Sequence, residues 1–318
     1  MAFATTSVAA VLTGLSGSDF LSSADTTAQQ TAALLQLATQ LKRGERRIDL
    51  GNRVLGLIFT KASTRTRVSF QVAMARLGGQ TVDLNPQLTQ LGRGEPLEDT
   101  ARVLSRFCDV LAIRTFAQQE LADYAHWASI PVINALTDLE HPCQALADFL
   151  TMQEAFGDLQ GQTLAYVGDG NNVAHSLMLC GALLGVNVRI GCPEGFEPLP
   201  GVVDQARALS VGGAQISVIT DPVEAVRGAQ ALYTDVWASM GQEQEQAERE
   251  RAFQGFCLNE DLLAEADYRA IVLHCLPAHR GEEISAGVME GPSSRIFDQA
   301  ENRLHAQQAL LAALLGGL

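Results

Sequence analysis

Five short stretches carry side chains whose types and spacing could do chemistry. In TKASTRTRVSF, residues 60–70, Ser63, Thr64, Arg65 and Thr66 stand in a row behind an apolar run. Where a strand hands over to a helix, such a row brings hydroxyls, a guanidinium and backbone N–H groups to one helix N-terminus, which is a phosphate site. One Ser or Thr there would be an ordinary helix cap; four polar residues with Arg67 following weigh toward an anion. Neither a run of glycines nor a Gly-Lys-Ser is present, so a nucleoside triphosphate is not favoured. Arg114 ends a second apolar run, and HPCQ at 141–144 sets His141 and Gln144 about one helical turn apart. Taken alone, a histidine at position 141 is more often a structural cap than a catalyst.

YVGDGNNVAHS, residues 166–176, has the G-x-G of a dinucleotide loop, but Val173 stands at the third glycine position and NVRIG at 187–191 ends without an acidic residue. A nicotinamide cofactor is therefore disfavoured, and the turn offers Asn171 and Asn172 to a small polar ligand instead. TDVWASMG, residues 234–241, brings Asp235 and Ser239 to the end of another apolar run. In IVLHCLPAHRGEE, residues 271–283, Cys275 stands between His274 and His279. A zinc site needs three or four ligands at suitable spacing; these residues supply three, but Pro277 intervenes and no second Cys/His pair lies nearby, so structural zinc is disfavoured. Strand alternation also turns His274 and Cys275 to opposite faces. An inert thiol is the bland reading, accepted for the other five cysteines; the strand-end position of Cys275, beside Arg280 and near an aspartate loop, points to a functional thiol.

The elements that must position these residues are legible as alternating short β-branched runs and longer helical patterns. Strands are predicted at 54–59, 109–113 and 131–134, with helices near 66–78, 96–107 and 118–128, and a long helix at 142–157. The alternation restarts with strands at 162–168, 187–191, 215–220, 231–235 and 270–275, and a helix at 299–316 follows. The polar run at 241–252 reads as a solvated loop or helix. The fold class is α/β: two doubly wound parallel-sheet domains, residues 1–150 with 299–318 packing back on them, and 151–298. Ligands are expected at the carboxyl ends of the strands, in the cleft between the domains.

Composition excludes several partners. The 318 residues are 47% hydrophobic and carry a formal charge of −14, so nucleic acid and anionic membranes are repelled, and an anionic ligand must be held by locally clustered arginines. Six scattered cysteines are expected to be reduced thiols. The first basic residue is Lys42, no targeting segment is read, and no apolar run approaches the ~20 residues of a bilayer span, so a cytoplasmic protein is expected.

STRTR, HPCQALAD, DVWASMG and HCLPAHRGEE, in this order and at these distances, resemble the ornithine carbamoyltransferases, and the resemblance runs from VLGLIF at 54 to AENR at 300–303. It implies transfer of carbamoyl from carbamoyl phosphate to the δ-amine of L-ornithine, giving citrulline and phosphate, with no cofactor and no metal. By that resemblance Ser63, Thr64, Arg65 and Thr66, joined by Arg114 and Arg303, hold the phosphate. Arg114, His141 and Thr66 polarise the carbamoyl oxygen, and Gln144 with the backbone of Cys275 and Leu276 fixes the amide. Asn172, Asp235, Ser239 and the Met240 backbone read ornithine, with Asp235 on the α-ammonium; Cys275 orients the substrate and helps deprotonate the δ-amine. A homotrimer is implied, with Gln90 of the polar loop 85–96 reaching a neighbour's phosphate site. Gln90 and Arg93, where aspartate enzymes carry a lysine before GE, point away from aspartate as acceptor. Acetylornithine or putrescine as acceptor, or a catabolic enzyme run in reverse, are the alternatives.

Overall fold

A computed structural model describes residues 7–85, 94–238 and 246–318. The chain resolves into two compact units, Met1–Ala147 with Asn302–Leu318, and Asp148–Glu301.

In the first unit β1 (Val54–Phe59), β2 (Gln80–Leu84), β3 (Val110–Arg114) and β4 (Val132–Leu136) form a sheet in the order β2-β1-β3-β4. All pairings are parallel. β1 and β3 are apolar at nearly every position because both faces are buried, as parallel sheets require. β2, by contrast, is largely exposed, so it shows no apolar run, and the sequence reading missed it. An ion pair from Arg67 to Asp83 ties this edge strand to the helix Thr64–Arg76. The opposite edge is covered by the N-terminal segment: Phe20 N–H donates to Val132 O, Asn134 N–H donates to Phe20 O, each at 2.8 Å, and Asn134 Nδ2 donates to Leu21 O at 2.9 Å.

In the second unit β5 (Thr163–Val167), β6 (Asn187–Gly191), β7 (Ile216–Ile219), β8 (Ala231–Thr234) and β9 (Ile271–His274) form a parallel sheet in the order β7-β6-β5-β8-β9. Each sheet therefore starts in its middle and grows outward in both directions. Strand order reverses between β1 and β3 in one unit and between β5 and β8 in the other, and the crevice at the carboxyl ends beside such a reversal is where doubly wound sheets bind ligands.

Gly170, the second glycine of the G-x-G pattern, has a local structural reason. A Cβ built on it would lie 2.2 Å from Pro198 N and 2.4 Å from the Glu197 carbonyl carbon, so the glycine lets two backbones pass. Backbone on both sides leaves nothing to yield. Gly170→Ala should lower the melting temperature by about 3 °C, the equivalent of ~2 kcal/mol of overpacking in a protein of this size. Gly201→Ala, in the helix Pro200–Leu209 with open space around it, should leave it unchanged or slightly higher. Differential scanning calorimetry of the two variants checks the contrast.

Candidate active site

The first unit gathers its predicted residues at the β1/β3 reversal. Phe59 and Arg114 are paired at the ends of these strands, and Thr60 donates to the Arg114 carbonyl from N at 2.9 Å and from Oγ1 at 3.0 Å. The chain then enters the helix Thr64–Arg76 through Ser63, whose Oγ accepts from Thr66 N–H at 3.3 Å. Ser63 is thus a cap and a candidate ligand at once. Thr64 and Arg65 are exposed, whereas Thr66 is buried. Arg303 reaches this turn from the helix Ile296–Leu314: Nη2 donates to Thr66 Oγ1 and Nη1 to Gln144 Oε1, both at 2.6 Å. The planar fork of the guanidinium fits two acceptors held at a fixed separation.

His141 is buried and lies in the field of the same cations. Burial first, then the guanidiniums of Arg303, Arg114 and Arg65, hold its pKa well below the usual imidazole value, so the ring is neutral near pH 7. Lys61, which the sequence reading passed over, adds to this field. Its ammonium sits 3.8 Å from the centre of the Phe116 ring, and burial together with Arg114 lowers its pKa. A chain of net charge −14 therefore concentrates Lys61, Arg65, Arg114 and Arg303 near one helix N-terminus, where an anion is stabilised by charge and by backbone N–H groups together.

The second unit gathers a carboxylate-centred cluster at the β5/β8 reversal. Asp235, just after β8, is buried and accepts from Val236 N–H at 2.8 Å, Cys275 Sγ at 3.0 Å and, on its other oxygen, Asn171 Nδ2 at 3.0 Å. Asn171 caps the helix Asn172–Leu183, its Oδ1 accepting from Val173 and Ala174 N–H. Asn172, the residue singled out from the sequence, is the half-buried first residue of that helix. Gln90, Ser239 and Met240 lie outside the described residues.

Two expectations for Cys275 need correction. Arg280 does not activate it: that guanidinium is half-exposed and donates to Glu290 at 2.6 Å. Burial, followed by the charge of Asp235 and the hydrogen bond to it, pushes the thiol well above its ordinary pKa. The group is therefore a neutral donor that fixes Asp235, and as a thiol it has no basic lone pair with which to deprotonate an amine. The metal question has a local answer too. Ligand atoms of Asp235, His274 and Cys275 lie within 4.8 Å of one another. His274, however, spends both ring nitrogens, Nδ1 accepting from Leu276 N–H at 2.8 Å and Nε2 facing Glu283 Oε1 at 3.1 Å, and the thiol is spent on Asp235. Leu276 itself has φ of 61°, a left-handed conformation that costs a non-glycine residue about 1–2 kcal/mol.

A further residue escaped the sequence reading. The polar run at 241–252 contains the helix Gln246–Ala252, and its Arg249 is buried rather than solvated. Nη1 donates to Asp169 Oδ2 at 2.9 Å and to the Trp237 carbonyl at 2.8 Å, while the guanidinium lies 5.1 Å from the centre of the Phe196 ring. Arg249 thereby ties the loop after β5 to the segment after β8. The sequence trace of this is slight: an arginine four residues before the buried Phe253.

Comparison with known proteins covers both units. The family model described as "Aspartate/ornithine carbamoyltransferase, carbamoyl-P binding domain" matches residues 18–154, and "Aspartate/ornithine carbamoyltransferase, Asp/Orn binding domain" matches 160–314. Ornithine carbamoyltransferase of Prochlorococcus marinus (strain MIT 9313) is 85% identical over 311 residues, 98% of each chain. The crystal structure of ornithine carbamoyltransferase from Gloeobacter violaceus is 58% identical with a TM-score of 0.86, over 93% of this chain and 98% of that one. The enzyme from Pyrococcus furiosus is 48% identical with a TM-score of 0.92, over 96% and 99%.

The thiol assignment generates a chemical prediction. Iodoacetamide should label Cys275 at pH 8 more slowly than a free thiol of pKa about 8.5, with the rate still climbing above pH 9. Asp235→Asn removes the facing negative charge, so the thiol pKa falls and labelling at pH 8 accelerates. Peptide mapping by mass spectrometry reads both rates, and faster labelling of the wild type than of the variant would refute the neutral-donor assignment.

Proposed function

From the premise that the chain belongs to the aspartate/ornithine carbamoyltransferase family, we propose that it transfers carbamoyl from carbamoyl phosphate to the δ-amine of L-ornithine, giving L-citrulline and phosphate. The observation that carries this reading is a charge contrast. The first unit crowds guanidiniums around a neutral His141, and the second centres its polar cluster on the buried Asp235. The first suits an anionic donor and the second a cationic acceptor.

On this reading Ser63, Thr64, Arg65 and Thr66 bind the phosphate from the helix N-terminus, with Arg114 and Arg303 neutralising it. Arg114, His141 and Thr66 face the carbamoyl oxygen. As the amine attacks, negative charge grows on that oxygen, and donors already fixed there lower the barrier more than they tighten the ground state. A neutral His141 serves as a single N–H donor without adding a fourth positive charge to the three arginines beside it. The carbamoyl amide offers N–H donors, matched by Gln144 and by the backbone of Cys275 and Leu276. Asp235 takes the α-ammonium of ornithine: a carboxylate has about four lone-pair sites, so it retains acceptor capacity beyond its three protein donors. Asn172, Ser239 and Met240 complete the acceptor site. We further assign the protein to arginine biosynthesis in the cytoplasm, as a homotrimer in which Gln90 serves a neighbouring phosphate site. Six free thiols agree with a reducing compartment, and among the described residues no helix is long and apolar enough to cross a membrane.

Product analysis with ornithine, acetylornithine, putrescine and aspartate side by side tests the acceptor: citrulline should form, and the other carbamoylated products should be minor. Within the site, Asp235→Asn should raise KM for ornithine about 10- to 100-fold, the loss of one charge-assisted interaction, and leave the KM for carbamoyl phosphate within about twofold. Arg303→Met should do the converse and also depress kcat. Steady-state kinetics with each substrate varied in turn separates the two. Equal effects of both variants on both substrates would dissolve the division of labour between the units.

A further inference from the structure

His274 adjoins Cys275 yet takes no part in the roles above, and it is one of the most heavily engaged side chains in the second unit. It and Glu283 are both fully buried, with His274 Nε2 3.1 Å from Glu283 Oε1. The same oxygen accepts from His279 N–H at 2.6 Å, so the carboxylate is fixed from a second side. At the other end of the ring, Leu276 N–H donates to Nδ1 at 2.8 Å. The backbone of His274 is held as well: its N–H donates to Gln299 Oε1 at 2.8 Å, and Gln299 Nε2 donates to Asp148 Oδ1 at 2.6 Å.

These partners dictate the tautomer. A backbone N–H can only donate, so Nδ1 must carry its lone pair, and the single ring proton sits on Nε2, where it meets the carboxylate. A proton on Nδ1 would set two donors face to face. We propose that His274 is a positioning residue: locked as the Nε2–H tautomer by Glu283, it accepts the Leu276 N–H and holds Leu276 in its left-handed conformation, so that this turn presents backbone acceptors, not donors, to the carbamoyl amide. The inference rests on the proposed function, which sets the Leu276 backbone against that amide. Its chemistry is complementary. The amide brings N–H donors, and a turn whose own N–H is already engaged by an imidazole does not compete with them. It also accounts for the composition of the motif: the histidine two residues before Leu276 reaches back over the turn as an aspartate or asparagine does in an Asx turn, and Glu283 fixes which nitrogen does so.

The Asx comparison supplies the test. His274→Asn keeps an acceptor two residues before the Leu276 N–H, whereas His274→Leu fills the space without one. Binding of carbamoyl phosphate and of inorganic phosphate is measured by titration calorimetry, alongside steady-state kinetics and melting temperature. His274→Leu should weaken carbamoyl phosphate about 10-fold or more, the equivalent of one hydrogen bond and the misplacement that follows, lower kcat, and leave inorganic phosphate within about twofold. His274→Asn should recover most of the carbamoyl phosphate affinity. A merely structural histidine predicts that the two variants fall together or track their melting temperatures, and that result overturns the proposal. So does equal weakening of phosphate and carbamoyl phosphate, because inorganic phosphate has no amide. Wild-type protein that binds carbamoyl phosphate but forms no citrulline would retire the proposed function instead, and the comparison of the two ligands would still report on His274.

Discussion

The constraint around which the first unit is organised is the packing of like charges. Arg303, Arg114 and Arg65 all act on one buried imidazole, and that arrangement repels itself. Hydrogen bonds fix the Arg303 guanidinium and the Arg114 backbone within it. Arg303 spans Thr66 and Gln144, which joins the last helix of the chain to the turn after β1 and to the start of the helix Pro142–Phe156. Arg114 is fixed by the end of β3, where its carbonyl receives Thr60. The histidine responds by staying neutral. What remains is a concentrated positive field in an acidic chain, of the kind that an anion relieves.

The second unit solves the opposite problem with the same topology. A buried carboxylate is costly unless hydrogen-bonded, and Asp235 receives its donors from three directions: the residue after it, the cap of the helix after β5, and the end of β9. The thiol is the instructive member. A cation in its place would neutralise Asp235 and remove its attraction for any cationic ligand. A second carboxylate would shift the pKa of both. A neutral Sγ–H fixes the carboxylate and leaves its charge intact. Arg249 performs a supporting task at some remove, pairing with Asp169 and holding the Trp237 carbonyl, so both segments that carry the cluster are anchored behind it.

How much of this was legible in the sequence follows from range. The central strands were visible because strands buried on both faces read as unbroken apolar runs, and the site residues were visible because they follow those runs directly, as with Arg114 after VLAI and Asp235 after ALYT. The edge strand Gln80–Leu84 was not, since an exposed strand has no apolar run to betray it. Contacts that span long stretches of chain were equally silent. Nothing local to Arg249 names Asp169, 80 residues away, and nothing local to Cys275 says that Arg280 turns to Glu290 instead. The direction of a pKa is of this kind. Cys275 reads from the sequence as a functional thiol beside Arg280 and near an aspartate loop; of the two only the aspartate faces it, and where a guanidinium would lower the pKa the carboxylate raises it.

That reversal bears on how the chemistry is partitioned. Two titratable side chains stand nearest the reacting groups on the proposed reading, and their surroundings push them in opposite directions, His141 down and Cys275 up. Both pushes favour the neutral form, because burial penalises either charge and because each group faces a field that opposes its ionisation. Around neutral pH neither side chain changes state. The species that must change is the substrate: an alkylammonium with a pKa near that of lysine, about 10.4, has no lone pair for attack. Burial penalises that charge as it does the others, so desolvating the amine, rather than handing its proton to a titrating side chain, is the lever the protein has on the nucleophile.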